Sequence, residues 1–347
     1  MLNYPLKLSP AETIYSALFV SYIRNKEFCN NRTRHASRQI SVPGRVFFCP
    51  MLFSKPVLSI PQQIAQLQTR GLVIDDKTAA ERFLRNISYY RLAGYWWPLQ
   101  ADKVNHTFKP GSRFDTVIAI YNFDRSFRLL LFDAIERIEI GFRTRLIYEL
   151  SVSYGAWWFE DSSLFKDNRL FRDNLGLIDS ELSRSKEVFI QEHYGKYTNP
   201  NRPPAWKTIE TLSLGHLSKL YSNLNNTPEK KRIAQSLGIP KPYFLESWLQ
   251  SVSLLRNLCA HHSRVWNKNL PKPPQLIPRL PEPWLTQFPT GPNKVYASLC
   301  CIKYMLNIVS PGNDLTPRLA ELFRLYPTID QQALGFVNGW SDEPLWK

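Results

Sequence analysis

The sequence predicts an all-α protein, and three observations indicate this class. Apolar residues recur at three-to-four spacing in several segments, of which residues 115–150 form the longest. No segment shows the sustained apolar–polar alternation of strands, and there is no internal repeat. The 347 residues are 44% apolar, which is enough to fill a core and excludes general disorder.

Residues 1–52 differ from the rest of the chain. Their periodicity is poor, and they carry seven Lys and Arg against two Asp and Glu. Either they are translated non-coding sequence upstream of a natural start at Met51, or they form a basic arm that contacts nucleic acid. We therefore predict a poorly patterned basic extension at 1–52, a helical region at 53–112 and a larger helical domain at 113–347.

Helix-start signals define the region that follows. Ser59 with an early proline predicts a first helix, and Asp75-Asp76 predicts the cap of a second. Next come five large aromatic residues within nine positions, between Ile87 and Pro98. These aromatics either pack one helix against another or, beside Arg91, stack on the bases of a single strand.

The long helix predicted at 115–150 is rich in charge. It contains three i,i+4 pairs of opposite sign: Asp124–Arg128, Glu139–Arg143 and Arg145–Glu149. These charges form a solvated or interhelical face, or some of them, with Arg125, line a nucleic-acid groove. Further helices are predicted at 205–224, 229–237, 243–265, 293–308 and 314–323. Eight prolines make 270–292 irregular.

Composition narrows the function classes. The net charge of +15 favours a polyanionic partner such as RNA, DNA or an anionic membrane, although a basic face can also be merely solvated. No apolar run approaches the roughly 18 residues of a membrane span. The best one, at 297–309, contains Lys303 and predicts a buried helix. We expect no membrane association.

The five cysteines form no ligand pattern, and their odd number argues against a disulfide framework. This usage fits the reducing cytoplasm, which is the location we expect. No His, Asp, Glu or Cys cluster has metal-ligand spacing, so no metal or other cofactor is predicted.

Chemistry concentrates in residues 256–267, which the periodicity places on the helix 243–265. Two arginines, two histidines and two asparagines occur there: Arg256, Arg264, His261, His262, Asn257 and Asn267. The five-residue spacing from Arg256 to His261 corresponds to about 7.5 Å of rise and roughly 140° of rotation on an α-helix. The two Cβ atoms then lie on different faces, but a long arginine side chain can swing so that both groups meet one phosphate.

Arg256 and His261 together supply the minimal set of side chains for cutting RNA. The RNA 2′-OH is a built-in nucleophile. Cleavage needs a proton acceptor, a proton donor and a fixed positive charge on the phosphorane. Histidine suits either proton transfer, arginine supplies the charge, and Asn257 is a plausible orienting group.

The segment Arg256-Asn257-Leu258-Cys259-Ala260-His261-His262-Ser263-Arg264-Val265-Trp266-Asn267 resembles the signature of the Abi-like abortive-infection proteins of bacteria, of the AbiD and AbiF type. Other segments match in order: Lys55-Pro56 with Gln63 and Gly71-Leu72; Ile87 to Leu92 with Gly94-Tyr95; Asp124-Arg125 with Arg128; Ile135-Glu136 with Ile138-Glu139; Pro204-Ala205-Trp206 with Glu210; and Leu214 to Ser218. The resemblance runs from about Phe53 to Leu276 and leaves residues 1–52 outside.

The resemblance implies the HEPN superfamily, whose members are helical bundles, here with additional N-terminal helices. Many of them are metal-independent ribonucleases whose R-x4–6-H motif often acts as a pair, brought together by a dimer or by two domains. This chain shows one such motif, so the resemblance implies a homodimer with a composite site. It also implies phage defence with arrest of host growth, and restraint by a small structured non-coding RNA. By analogy, Arg256 stabilises the scissile phosphate, His261 is the acid or base, and Asn257 orients one of them. Residues implied to support the site or contact RNA are His262, Arg264, Asn267, Arg91, Arg125, Arg128 and Arg143.

Two other function classes stay open at this point. One is a defence protein whose motif docks RNA without cutting it. The other is a protein-interaction module or a partner in nucleotidyl transfer. Replacing His261 with Ala separates the first from an enzyme, because only an enzyme loses cleavage while it keeps its RNA affinity.

Overall fold

The computed structural model describes residues 55–347 and, before them, the backbone of two short strands. These strands, β1 (Ser41–Val42) and β2 (Arg45–Val46), pair antiparallel. Both interpretations of residues 1–52 otherwise lie outside the described residues. Residues Ile60–Lys347 form one compact unit. This unit contains twelve α-helices and one small hairpin, so the predicted all-α class is confirmed.

The α-helices, in chain order, are α1 (Ile60–Thr69), α2 (Lys77–Ile87), α3 (Tyr89–Trp96), α4 (Phe114–Tyr154), α5 (Asn168–Arg184), α6 (Val188–Lys196), α7 (Ala205–Thr208), α8 (Leu214–Asn223), α9 (Pro228–Gln235), α10 (Pro242–Ala260), α11 (Val295–Val309) and α12 (Leu315–Leu325). Short 3-10 turns occur at Trp97–Leu99, Trp158–Glu160, Ser162–Leu164, Ile209–Thr211, Gln332–Leu334, Trp340–Asp342 and Pro344–Trp346. The hairpin consists of β3 (Gln100–Asp102) and β4 (Thr107–Phe108), which pair antiparallel.

The first three helices follow their sequence signals closely. The Asp76 side chain caps α2 by accepting a hydrogen bond from the Ala79 N–H at 2.8 Å, which confirms the predicted cap. Tyr95 and Trp96 of α3 are buried, so packing explains this part of the aromatic segment. The β3–β4 hairpin was not predicted, because strands of two or three residues are too short to show alternation.

The core forms around two helices, α4 and α11. The 41-residue α4 buries apolar side chains along most of its length, and it packs against α3, α9, α10, α11 and α12. Twelve of the fifteen residues of α11 are buried, which confirms the buried helix predicted from the apolar run. Its one lysine, Lys303, donates to Asn313 Oδ1 at 3.1 Å. No helix in the described part of the chain is long and apolar enough to cross a membrane.

Two predictions about the helices between 145 and 224 are wrong. The helix expected over 205–224 is broken by the 3-10 turn Ile209–Thr211 and restarts where Ser213 caps α8. The pair Arg145–Glu149 does not form, because Glu149 accepts from Arg232 Nε at 2.8 Å while Arg145 donates to the Gly141 carbonyl. The neighbouring helix α9 thus supplies a better-placed partner than the same helix does.

Candidate active site

The helix α10 ends five residues before the sequence predicted, and this end shapes the site. His262 has φ +54°, and its N–H donates to the Cys259 carbonyl at 3.1 Å. The Ser263 N–H donates to the Leu258 carbonyl at 2.8 Å. This is a Schellman end, with a histidine at the left-handed position that glycine or asparagine usually occupies. The continuation of the helix to Val265 is therefore wrong, and both histidines lie at the helix end.

A buried carboxylate on α4 holds the chain after this turn. Asp124 is fully buried and accepts hydrogen bonds from the Trp266 N–H at 2.7 Å, from the Val265 N–H at 3.2 Å and from the Tyr95 hydroxyl at 2.7 Å. It also pairs with the buried Arg128 guanidinium. Burial raises the pKa of Asp124, and the Arg128 charge and the other donors oppose that shift. These N–H groups cannot join a helix, because Asp124 already binds them.

Three further contacts fix the turn from outside. The exposed Arg91 of α3 donates to the His262 carbonyl at 2.7 Å. Arg264 donates to the Gly94 carbonyl, also on α3, at 2.6 Å. Asn267 Oδ1 accepts from Lys294 Nζ at 3.0 Å. The structure thus places Arg91, Arg264 and Asn267 where they position the turn.

Arg256 lies on the side of α10 that faces α4. Its Cζ is 5.7 Å from the centroid of the Phe132 ring, and its Nε is 3.7 Å from Glu139 Oε2. The other oxygen of Glu139 accepts from Arg143 at 2.9 Å. The buried Nε has no hydrogen-bond partner among the described residues, and 31% of the Arg256 side chain is exposed. The guanidinium is therefore held in place by weak contacts and stays open to an anion.

His261 lies on a different side of α10 from Arg256. Its N–H donates to the Asn257 carbonyl at 2.9 Å, so His261 stands one helical turn beyond Asn257. His261, His262 and Asn257 are all exposed. Arg256 and His261 thus lie near the C-terminal end of α10, on different sides of the helix.

The arginines of α4 have separate environments. Arg128 is buried against Asp124, which confirms the predicted i,i+4 pair and leaves its guanidinium unavailable to RNA. Arg143 also forms its predicted pair, with Glu139, and donates to the Leu212 carbonyl at 2.8 Å, so its exposed fraction is only 12%. Arg125 is exposed on the surface. Of these three side chains, only Arg125 is freely accessible to a nucleic acid.

The cysteine of the motif, Cys259, is a poor candidate for catalysis. Burial raises the pKa of the Cys259 thiol to about 12, so the thiol stays protonated near neutral pH and is a poor nucleophile. Cys259, Cys300 and Cys301 are free thiols. Within residues 55–347, no three His, Cys, Asp or Glu side chains are grouped so that they could hold a metal ion.

More than half of the chain matches a known protein family. The family model described as Abi-like protein matches residues 82–267, which is more than half of the chain. The chain belongs to the Abi-like protein family. This membership assigns it an abortive-infection role in phage defence. No curated protein and no solved structure matches the chain.

The Abi-like region contains the site and the residues that hold it, except Lys294. It runs from within α2 to Asn267, the last residue of the turn that Asp124 holds. Sequence reasoning missed Tyr95 and Asp124 as the anchor of this turn, and Glu139 as the partner of Arg256. The i,i+4 pair Asp124–Arg128 was the available signal, but an ion pair on one helix does not reveal that backbone groups 141 residues away bind the same carboxylate.

Proposed function

We propose that this Abi-like protein is a metal-independent endoribonuclease of the HEPN type, related to the AbiD and AbiF proteins. The observation that carries the proposal is the arrangement at the end of α10. An arginine whose Nε has no hydrogen-bond partner among the described residues, Arg256, lies near the end of α10, and an exposed imidazole, His261, begins the turn that Asp124 holds. In the bacterial cytoplasm, such a pair suits attack on a phosphodiester.

The reaction needs no group beyond the RNA and these side chains. A base, for which His261 is the candidate, takes the proton of the 2′-OH, and O2′ forms a bond to phosphorus. The bond from phosphorus to O5′ breaks, and O5′ takes a proton from an acid, for which the exposed His262 is the candidate. Arg256 stabilises the charge on the phosphorane, and Asn257 orients the reacting groups. The products are a 2′,3′-cyclic phosphate and a 5′-hydroxyl.

The first test is cleavage of RNA by the purified chain in the presence of EDTA. We expect 2′,3′-cyclic phosphate ends, which a periodate-resistance assay or ligation-based sequencing of the ends detects. A DNA strand of the same sequence is the matched substrate control, because it lacks the 2′-OH and must stay intact. RNA that is bound but never cut supports the binding-only alternative instead.

We further propose that the protein acts as a homodimer and is restrained by a small structured non-coding RNA. Two features support this. Leu129 and Ile140 are 58% and 51% exposed on α4, the helix that also carries the Phe132 ring under Arg256, and a second copy can cover them. The net charge of +15 favours a bound polyanion.

Light scattering with absorbance at 260 and 280 nm tests both points on protein purified under mild salt. We expect a protein mass of two chains, together with one discrete RNA bound in stoichiometric amount. Sequencing identifies this RNA. A monomeric chain contradicts the dimer, and protein free of nucleic acid contradicts the restraining RNA. Neither result affects the cleavage test, because that test uses protein from which high salt has removed the RNA.

A further inference from the structure

A groove lies beside the proposed active site, on the other side of α10 from Arg256. Three helices form its walls, α5, α8 and α10, and its volume is about 860 Å³. We call it the α5–α10 groove. That volume lies in the range of sites that hold a small molecule or one residue of a polymer.

The floor of the groove depends on a close approach of α8 to α10. A Cβ added at Gly215 would lie 3.2 Å from Ser253 Oγ, so a larger residue there would require the Ser253 side chain to shift. His216, the next residue, lines the groove, and its buried Nδ1 has no hydrogen-bond partner among the described residues. Buried ring nitrogens without a partner are uncommon in folded proteins, so this nitrogen is a polar group at the groove that no other described side chain uses.

The walls combine apolar and polar side chains. Leu170, Leu177 and Leu254 supply apolar surface, and Leu170 is 50% exposed although it faces this depression. Asn174 supplies an amide and Asp173 a carboxylate. Apolar side chains can enclose an unpaired nucleobase while amide and carboxylate groups bond its edge.

The charges at the rim favour a phosphate. Lys219 and Lys272 are exposed there and form no ion pair within the described residues. The carboxylate of Asp167, which also lines the groove, accepts from the Arg169 and Leu170 N–H groups as the cap of α5. Its charge is therefore engaged by the helix end, so the two lysines face only the carboxylate of Asp173.

The groove leads to His261. Gln250, Ser253, Leu254 and Asn257 form the α10 wall, at the spacing of one helix face. His261 follows Asn257 by one turn, because its N–H donates to the Asn257 carbonyl. An RNA chain with one nucleotide in the groove therefore carries its next phosphate toward the helix end where Arg256 and His261 lie.

We infer that the α5–α10 groove binds one nucleotide of the RNA substrate next to the scissile phosphate, with its base between the leucines and its phosphate at Lys219 and Lys272. This inference rests on the proposed endoribonuclease function for the position of the cut. The binding itself does not depend on cleavage, so the two can fail separately.

The test measures the affinity of a fluorescent single-stranded RNA of mixed sequence for chains that carry His261→Asn, which stops cutting. Leu177→Trp fills the groove, and we expect it to weaken binding about tenfold. Leu325→Trp is the matched control, since Leu325 is 57% exposed on α12 and outside the groove. Replacing Lys219 and Lys272 together with Ala should lower the slope of log affinity against log salt by about 1.4. Circular dichroism verifies that each variant is folded.

The outcomes are distinct. Equal RNA affinity of the two Trp variants overturns the inference. Tight binding of AMP, CMP, GMP or UMP that RNA does not displace also overturns it, because the groove then binds a free nucleotide. Weaker RNA binding by Leu177→Trp in a protein that never cuts supports the groove and refutes the ribonuclease. Cleavage by the Leu177→Trp chain with unchanged KM and unchanged cut sites supports the ribonuclease and refutes the groove.

Discussion

The His261→Asn chain should cut RNA about 10²- to 10⁴-fold more slowly than the unmodified chain while it binds RNA with similar affinity. Asparagine keeps a polar side chain of similar reach but cannot take or give a proton near neutral pH. Because His261 is exposed, its replacement should not unfold the chain, so a loss of this size reports on the chemical step. Single-turnover cleavage with excess protein measures the chemical step, and fluorescence anisotropy measures RNA affinity.

Two matched variants sharpen this test. His106→Asn changes a histidine in the β3–β4 hairpin, whose φ of +58° asparagine also tolerates, and it should leave cleavage unchanged. His262→Asn keeps the left-handed position at the helix end and removes the second imidazole, so its rate decides between a proton-transfer role and a structural one. If His261→Asn cuts as fast as His106→Asn, His261 is not part of the chemistry and the proposed mechanism is wrong.

The second large effect concerns stability. Asp124→Ala should lower the free energy of unfolding by about 3–5 kcal/mol, because it leaves the Arg128 guanidinium buried without a counter-charge. It also removes the acceptor of the Val265 and Trp266 N–H groups. Urea denaturation followed by circular dichroism measures the change, and Asp124→Asn, which fills the same space, should fall between Asp124→Ala and the unmodified chain.

Asp133→Ala provides the comparison on the same helix. Asp133 also has an i,i+4 arginine, Arg137, at 3.4 Å, but its side chain is 37% exposed. Exposed pairs of this kind contribute little, so we expect a loss of at most about 1 kcal/mol. Equal losses from Asp124→Ala and Asp133→Ala contradict the view that burial of the Asp124 network holds the site together.

Local signals in the sequence were sufficient for much of the fold. The cap at Asp76, the length of α4 and the buried α11 depend on spacing and on neighbours in sequence, and these predictions are confirmed. The end of α10 could not be predicted in this way. It is set by a carboxylate on α4, and apolar spacing continues to Val265 although the backbone does not remain helical.

The same limit applies to the site. Arg256 and His261 stand out in the sequence because polar residues are dense there, but the partner of Arg256, Glu139, comes from another helix. The α5–α10 groove is assembled from three helices with no shared motif, and its unpartnered His216 nitrogen is visible only in three dimensions. The sequence left open whether Arg128 faces solvent, another helix or RNA, because a helical pattern does not reveal which neighbour covers a side chain.

The hydrogen bonds that hold the turn after α10 also limit how the protein can be kept inactive. Asp124 holds the turn from the core, and Arg91 and Arg264 tie it to α3. Moving the two histidines out of place therefore means breaking buried bonds, which is close to unfolding the domain. A restraining RNA meets far less resistance if it lies over the rigid turn and excludes the substrate. Control of this kind is occlusion, and it releases a fully formed active centre as soon as the cover is removed.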